Sequence, residues 1–400
     1  MEDLMKKLIY FDHAATTPVA AEVFGAMTPY FSEEFANPST LYSFGQQARA
    51  AIDQARAQVA RLIGAETDEI FFTSGATEAD NWAITGVVQA REKKGNHIIT
   101  SAIEHHAVLE TCEALAKRGI IELTVLPVDA DGLVDPEDVR RAVTDKTVLI
   151  TIMHSNNEIG VIEPIREIGL IARERGITFH TDATQSVGKI PVDVTELGCN
   201  MLSLSAHKLY GPKGAGALYI RKGTRILPFM RGGAQENNRR AGTLNVPGIV
   251  GLGKAAELAA STMDAEAARE RAMRDRLIAG ILSNIPDSRL NGHAQKRLPN
   301  NVNVSIEGIE GESMILRLDF AGFCVSSGSA CTSGSLEASH VLLAIGLPHE
   351  LAHGSLRISL GRSNTEEDVD KFLETFPKVV SLLRSMSPVY NSCPVDFTAE

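Results

Sequence analysis

Short runs rich in β-branched and apolar residues alternate along this chain with longer stretches of helical period. "EIFFTS" leads into "GATEADNWAITGVVQAREKKG", and "HIITS" into "HHAVLETCEALAKRG". "TVLITIMH" precedes "PIREIGLIARERG", and "ITFHTDATQ" comes before "MLSLSAHK" and "GALYIRKG". Nearly continuous apolar strands must be covered on both faces, and helices between them supply the cover. The rhythm predicts an α/β fold with a mostly parallel sheet. In "IREIGLIARER", Ile165, Ile168, Ile171 and Ala172 share the inward face, and Arg166, Glu167, Arg173 and Glu174 the outward one. From about Ile249 to Ile285 the pattern turns long and helical. It leads into strand candidates "NNVNVSIE", "FCVSS" and "SLRISL" and a closing helix in "TEEDVDKFLETFPKVVSLLRSM". Two domains are expected: a large one over residues 16–260, and a smaller α+β one formed by residues 1–15 and 261–400.

With 44% hydrophobic and 22% charged residues, the 400-residue chain reads as a soluble globular enzyme. A formal charge of −11 argues against nucleic acid or an anionic membrane as partner. No apolar stretch approaches the roughly 18 residues of a membrane helix, and the start turns polar too early for a signal peptide. The five cysteines are scattered without a CxxC pair, so no disulfide framework or metal site is expected. A cytoplasmic setting fits best.

In open α/β sheets ligands sit where strands end, and four such ends carry unusual residues. In "FFTSGATEADN" a glycine turn opens a helix, where N–H groups and the Thr77 hydroxyl suit a phosphate. In "FHTDATQSVG", Asp182 follows an apolar strand and could sit beneath a ring nitrogen, with Gln185 within reach of a ring substituent. In "MLSLSAHKLYGPKG", Lys208 lies where a dry cleft would make an imine-forming amine. In "SAIEHHAVLE", His105 or His106 could lie over a flat cofactor. Singly, these read as helix caps, a surface lysine and exposed histidines. Together they make an anchor, an electron-sink partner and an imine former, which is what pyridoxal phosphate requires.

The same stretches resemble the cysteine desulfurases, the NifS/IscS family within the class V aminotransferases. The matching motifs are "DHAATTPV", "FTSGATEADN", "EHHAVLETC", "NNEIG", "HTDATQSVGK", "SAHKLYGPKG", "RRAGTLN", "LPNNVNVS" and "SSGSACTSGSLE". The resemblance implies a fold-type I enzyme dependent on pyridoxal 5'-phosphate, with Lys208 as its covalent attachment point. Asp182 should meet the pyridine nitrogen and Gln185 the phenolic oxygen. Ala76, Thr77, Ser205 and His207 should hold the phosphate, with Thr243 contributed by the other subunit of a homodimer. His105 should stack on the ring and carry protons, Asn156 should lie beside cofactor and substrate, and Arg357 should clamp the substrate carboxylate.

The resemblance also explains Cys331, a thiol set among five serines and two glycines in residues 326–335. In the family, the matching cysteine takes sulfur from L-cysteine as a persulfide, leaving L-alanine. A tethered loop, about residues 326–337, can carry that sulfur from the cleft to an acceptor such as an iron–sulfur scaffold protein. No resident metal is implied, although Cys331 could transiently ligate an iron–sulfur cluster. Selenocysteine lyase activity, or sulfur donation for tRNA thiolation, are the alternatives on the same fold. The loop looks closest to the nitrogen-fixation branch, and the end of the chain does not resemble the housekeeping branch. Cys112 and Cys199 read as packing cysteines, and Cys324 as a strand residue. "HELAH", residues 349–353, matches a zinc-protease pattern, but Pro348 and Gly354 leave room for only a turn or so of helix.

Overall fold

The computed structural model describes residues 8–327, 338–387 and Tyr390. A two-residue strand, β1 (Ile9–Tyr10), precedes seven strands that share one sheet. These are β2 (Ile70–Thr73), β3 (His97–Ser101), β4 (Glu122–Leu126), β5 (Thr147–Thr151), β6 (Thr178–Asp182), β7 (Met201–Ser205) and β8 (Gly216–Ile220). Their order is β2-β8-β7-β6-β5-β3-β4. Only β8 runs antiparallel to its neighbours, so the sheet is mostly parallel, as the alternating pattern predicts.

The apolar runs are explained by burial on both faces. Ile70 and Phe72 point into one core while Phe71 points into the other, and Ile99 and Ile98 divide the same way. Helices α1 (Ser43–Leu62) and α4 (Ile165–Arg175) supply the first core. Helices α2 (Ala76–Arg91) and α3 (His106–Lys117) supply the second. In α4 the predicted inward residues are all at most 2% exposed. That helix ends at Gly176, whose φ of 61° is a left-handed C-cap that glycine adopts at no steric cost.

Helix α5 (Val246–Asn284) is capped by the Asn245 side chain on the Gly248 N–H. Its first half packs Ile249, Leu252, Ala255 and Ala256 into the first core, chiefly against α1. Its second half packs Met273, Leu277 and Ile281 against a separate core. That core belongs to an antiparallel sheet of β9 (Ser288–Leu290), β10 (Asn301–Ile306) and β12 (Ser355–Ser359). It also takes residues from β11 (Phe323–Cys324), which pairs in parallel with β1. Helices α6 (His340–Ala344) and α7 (His349–His353) follow, and α8 (Glu366–Met386) closes the layer with Phe372 and Phe376. The HELAH stretch is α7, a helix of five residues. Among the described residues, no helix is long and apolar enough to cross a membrane.

Candidate active site

Strand ends β2, β6 and β7 bring their marked residues to one edge of the large sheet. Asp182, the last residue of β6, is 6% exposed, and its Oδ1 accepts from the Thr184 N–H at 2.9 Å. Lys208 follows β7 in a single 3-10 turn, Ala206–Lys208. Its Nζ donates to the Ala14 and Ala15 carbonyls at 2.5 and 2.7 Å. The Gln185 amide donates to the same Ala14 oxygen at 3.1 Å.

His105 is the N-cap of α3, and its Nδ1 accepts from the Ala107 N–H at 3.1 Å. A nitrogen that accepts carries no proton, so in the neutral ring Nε2 bears the N–H. Burial holds the His105 pKa below the usual histidine range; nearby Asp182 opposes this and Lys208 reinforces it. Those two charges act on one imidazole because all three groups share the cleft. His106 turns to other partners. Its ring lies 4.8 Å from that of His340, and its Nδ1 is 3.2 Å from Glu110.

The phosphate cradle depends on a close approach of backbones. Gly75 caps α2 directly above β8, and a Cβ on Gly216 would stand 2.6 Å from the Gly75 Cα. Only glycine at 216 lets the helix start come down there. The first N–H groups of α2, at Ala76 and Thr77, have no carbonyl one turn back to receive them. Ser205 lies buried at the end of β7, and His207 is half-buried with its Nδ1 3.1 Å from the Thr16 hydroxyl. Burial, together with Lys208 and Lys213, pulls the His207 pKa down to about 4, so the ring is neutral. The "RRAGT" segment is tied to the cradle by a bidentate Arg240–Glu78 pair at 2.8 and 3.0 Å. Thr243 itself is exposed.

The two neighbouring asparagines have different roles. Asn156 is fully buried; its Nδ2 donates to the Ile103 carbonyl, and its Oδ1 accepts from the N–H groups of Glu158 and Ile159. Its amide therefore orders the turn that ends at Gly160 (φ 74°). Asn157 is the partly exposed one, and its carbonyl accepts from Arg357 Nη1 at 3.0 Å. Arg357, on β12, also donates from Nη2 to Asp12 Oδ1 at 2.9 Å.

The pattern reading passed over the segment Asp12–Thr17. Asp12 holds Arg357, the Ala14 and Ala15 carbonyls hold Lys208 and Gln185, and Thr16 meets His207. Thr17 accepts from the Tyr210 N–H and donates to the His207 carbonyl.

Cys331 lies outside the described residues, as does Cys393, but the residues flanking the Cys331 loop are described. Ser326 exchanges both backbone hydrogen bonds with Arg357, at 3.1 and 2.6 Å. Beyond the loop, Ser339 donates to Glu158 at 2.5 Å and His340 Nε2 donates to the Glu104 carbonyl at 3.0 Å. Cys112 and Cys199 are fully buried and their thiols are pushed up to about 12 by burial, while Cys324 lies in β11.

A buried carboxylate, a lysine amine, a neutral histidine and a helix N-terminus on one sheet edge fit pyridoxal phosphate in donor chemistry. Comparison with known proteins agrees. The aminotransferase class-V family model matches residues 9–372. Cysteine desulfurase IscS of Methanosarcina thermophila is 57% identical over 96% of this chain and 94% of its own. IscS of Dictyoglomus turgidum is 56% identical over 96% and 97%. Among solved structures, a NifS-like protein superposes with a TM-score of 0.88 at 38% identity, covering 94% of this chain and 100% of that one. SspA in complex with cysteine superposes at 0.78 with 41% identity, covering 88% and 98%. Sheet order, strand-end chemistry and these relatives converge: the chain belongs to the class-V aminotransferase family, in its cysteine desulfurase group.

Proposed function

We infer that this protein is a pyridoxal-phosphate-dependent cysteine desulfurase that converts L-cysteine to L-alanine and takes the sulfur onto Cys331. The observation that carries this is the meeting of Lys208, Asp182, His105 and Arg357 at one cleft, with the chain bearing Cys331 moored to Arg357 and Glu158. A solved relative, SspA in complex with cysteine, supports the substrate.

Ala76, Thr77, Ser205 and His207 would hold the cofactor phosphate, Asp182 the ring nitrogen, and Gln185 the ring oxygen. When bound, pyridoxal phosphate supplies an electron sink that stabilises negative charge at the substrate Cα and so loosens the Cβ–S bond. Arg357 orients the substrate through its carboxylate. With the cofactor bound, the Lys208 amine would take the Cα proton, and His105, whose Nε2 bears the N–H, would pass a proton on. The Cys331 thiolate attacks the substrate sulfur. An S–S bond forms, the Cβ–S bond breaks with its electron pair on Cβ, and one proton added at Cβ and one returned to Cα complete alanine. The persulfide then passes its sulfur to an acceptor, for which we propose an iron–sulfur scaffold protein.

We propose a homodimer in which Thr243 completes the neighbouring phosphate site. Its exposure supports this, as do Phe24, Phe31, Phe35 and Leu41, which lie 62–96% exposed along one stretch of chain. We also propose a division into residues 16–260 against 1–15 with 261–400. The passage of α5 from one core to the other between Ala256 and Met273 supports that boundary. Cys112, Cys199 and Cys324, the unbridged cysteines among the described residues, suit the cytoplasmic setting we propose.

The test is incubation of the holoenzyme with L-cysteine and a thiol reductant. Alanine and sulfide should appear in equal amounts. Cys331→Ala should keep the bound cofactor's colour and lose sulfide release; full activity in that variant would remove Cys331 from the reaction.

A further inference from the structure

The Arg357 guanidinium is already held in the absence of substrate. The side chain is 3% exposed. Nη2 reaches Asp12 and Nη1 reaches the Asn157 carbonyl, while the Nε–H is buried with no partner among the described residues. Two of the five guanidinium donors are thus committed to the protein. A buried charged donor left unpaired is costly, and at a ligand site it marks where an acceptor belongs. Asp12 is itself fixed by its flanking backbone. Phe11 bonds to Cys324 on one side and Ser359 on the other, and Asp12 forms a bridge with Ser359. Its side chain, at 18% exposed, is the half of the pair nearer solvent.

We propose that Asp12 is a positioning residue for substrate recognition. With the Asn157 carbonyl it fixes two corners of the guanidinium, so that the Nε–H and the remaining Nη hydrogens meet the α-carboxylate of the incoming amino acid without a rotamer search. It also balances the buried charge between turnovers. This rests on reading Arg357 as the carboxylate clamp. The effect belongs to binding, because the chemical steps do not involve Asp12.

Holoenzyme carrying Asp12→Asn or Asp12→Ser is compared with wild type in steady-state kinetics on L-cysteine and in calorimetric binding of L-alanine. Removing the partner of a largely buried guanidinium should raise KM and the L-alanine Kd by about tenfold or more, with kcat within about twofold. Cofactor absorbance should be unchanged. Unchanged KM and Kd in either folded variant would reduce Asp12 to packing, and lower values would make it a competitor of the substrate; both overturn the proposal. Arg357→Lys is run alongside. If it leaves KM and Kd unchanged, the clamp reading itself falls, and Asp12 with it. If Arg357→Lys raises both and the Asp12 variants raise neither, the clamp stands and only the Asp12 proposal fails.

Discussion

At the scale of single residues, His105 is the most informative group, because one hydrogen bond decides which of its nitrogens can work. Its Nδ1 is spent on the Ala107 N–H, which leaves the neutral ring's proton on Nε2, and burial lowers its pKa from the ordinary 6.5. A lowered pKa means that the neutral form, with its proton on Nε2, persists as the pH falls to 6.5 and is lost only below it. The activity profile should therefore have its acid limb below pH 6.5. His105→Gln should lower kcat by about a hundredfold or more and remove that limb. A wild-type limb above 6.5, or one that survives the substitution, would exclude His105 as the carrier. The sequence alone left His105 and His106 open on residue type and was settled in favour of the former by resemblance; the cap geometry separates them physically. The asparagines show the opposite case. Both stand in one NNEIG stretch, and nothing in their composition says that Asn156 is consumed by the turn while Asn157 borders Arg357.

At the scale of elements, the strands that carry the chemistry were legible because their neighbours are apolar on both faces. Strand β4 was not, since four of its five residues retain some exposure and its composition reads as a surface segment. The Asp12–Thr17 segment was illegible for a different reason. Several of its contacts to the site come from main-chain carbonyls, which every residue type possesses. The approach of α2 to β8 makes a sharper prediction. Gly216→Val would force its side chain against the Gly75 backbone. Overpacking of this kind costs about 1–3 kcal/mol, and the strain falls on the helix start that would hold the phosphate. Cofactor affinity in a titration of stripped protein should drop by roughly tenfold or more, a larger effect than Gly216→Ala causes. Equal affinity in both variants and wild type would remove this contact from the cradle.

At the scale of the whole molecule, buried ionisable groups set how stability responds to pH. Burial raises the Glu104 and Glu163 carboxyls to about 8 and Glu158 to about 7, against 4.5 for an ordinary glutamate. The folded state then holds protons that the unfolded chain has released, so stability falls as pH rises from 4.5 towards 8. His154 and His180 act in the other direction. Their folded values are lowered to about 4 and about 3, so their contribution is complete above 6.5 and lost as pH falls below it. Glu163→Gln keeps an oxygen for the Val134 N–H and removes one titration. Melting temperatures should then decline less between pH 6 and 8 in the variant than in wild type. Parallel declines would show that Glu163 titrates normally in the folded protein.

The 39 residues of α5 measure about 58 Å at 1.5 Å per residue. One continuous girder runs beneath both hydrophobic cores, with Leu252 nailed into the first and Leu277 into the second. Unravelling either end strips apolar cover from the core it serves and frays the backbone ladder toward the other. The lobes are thereby linked in how they come apart, and a fragment cut within this girder would leave each half with an exposed greasy flank.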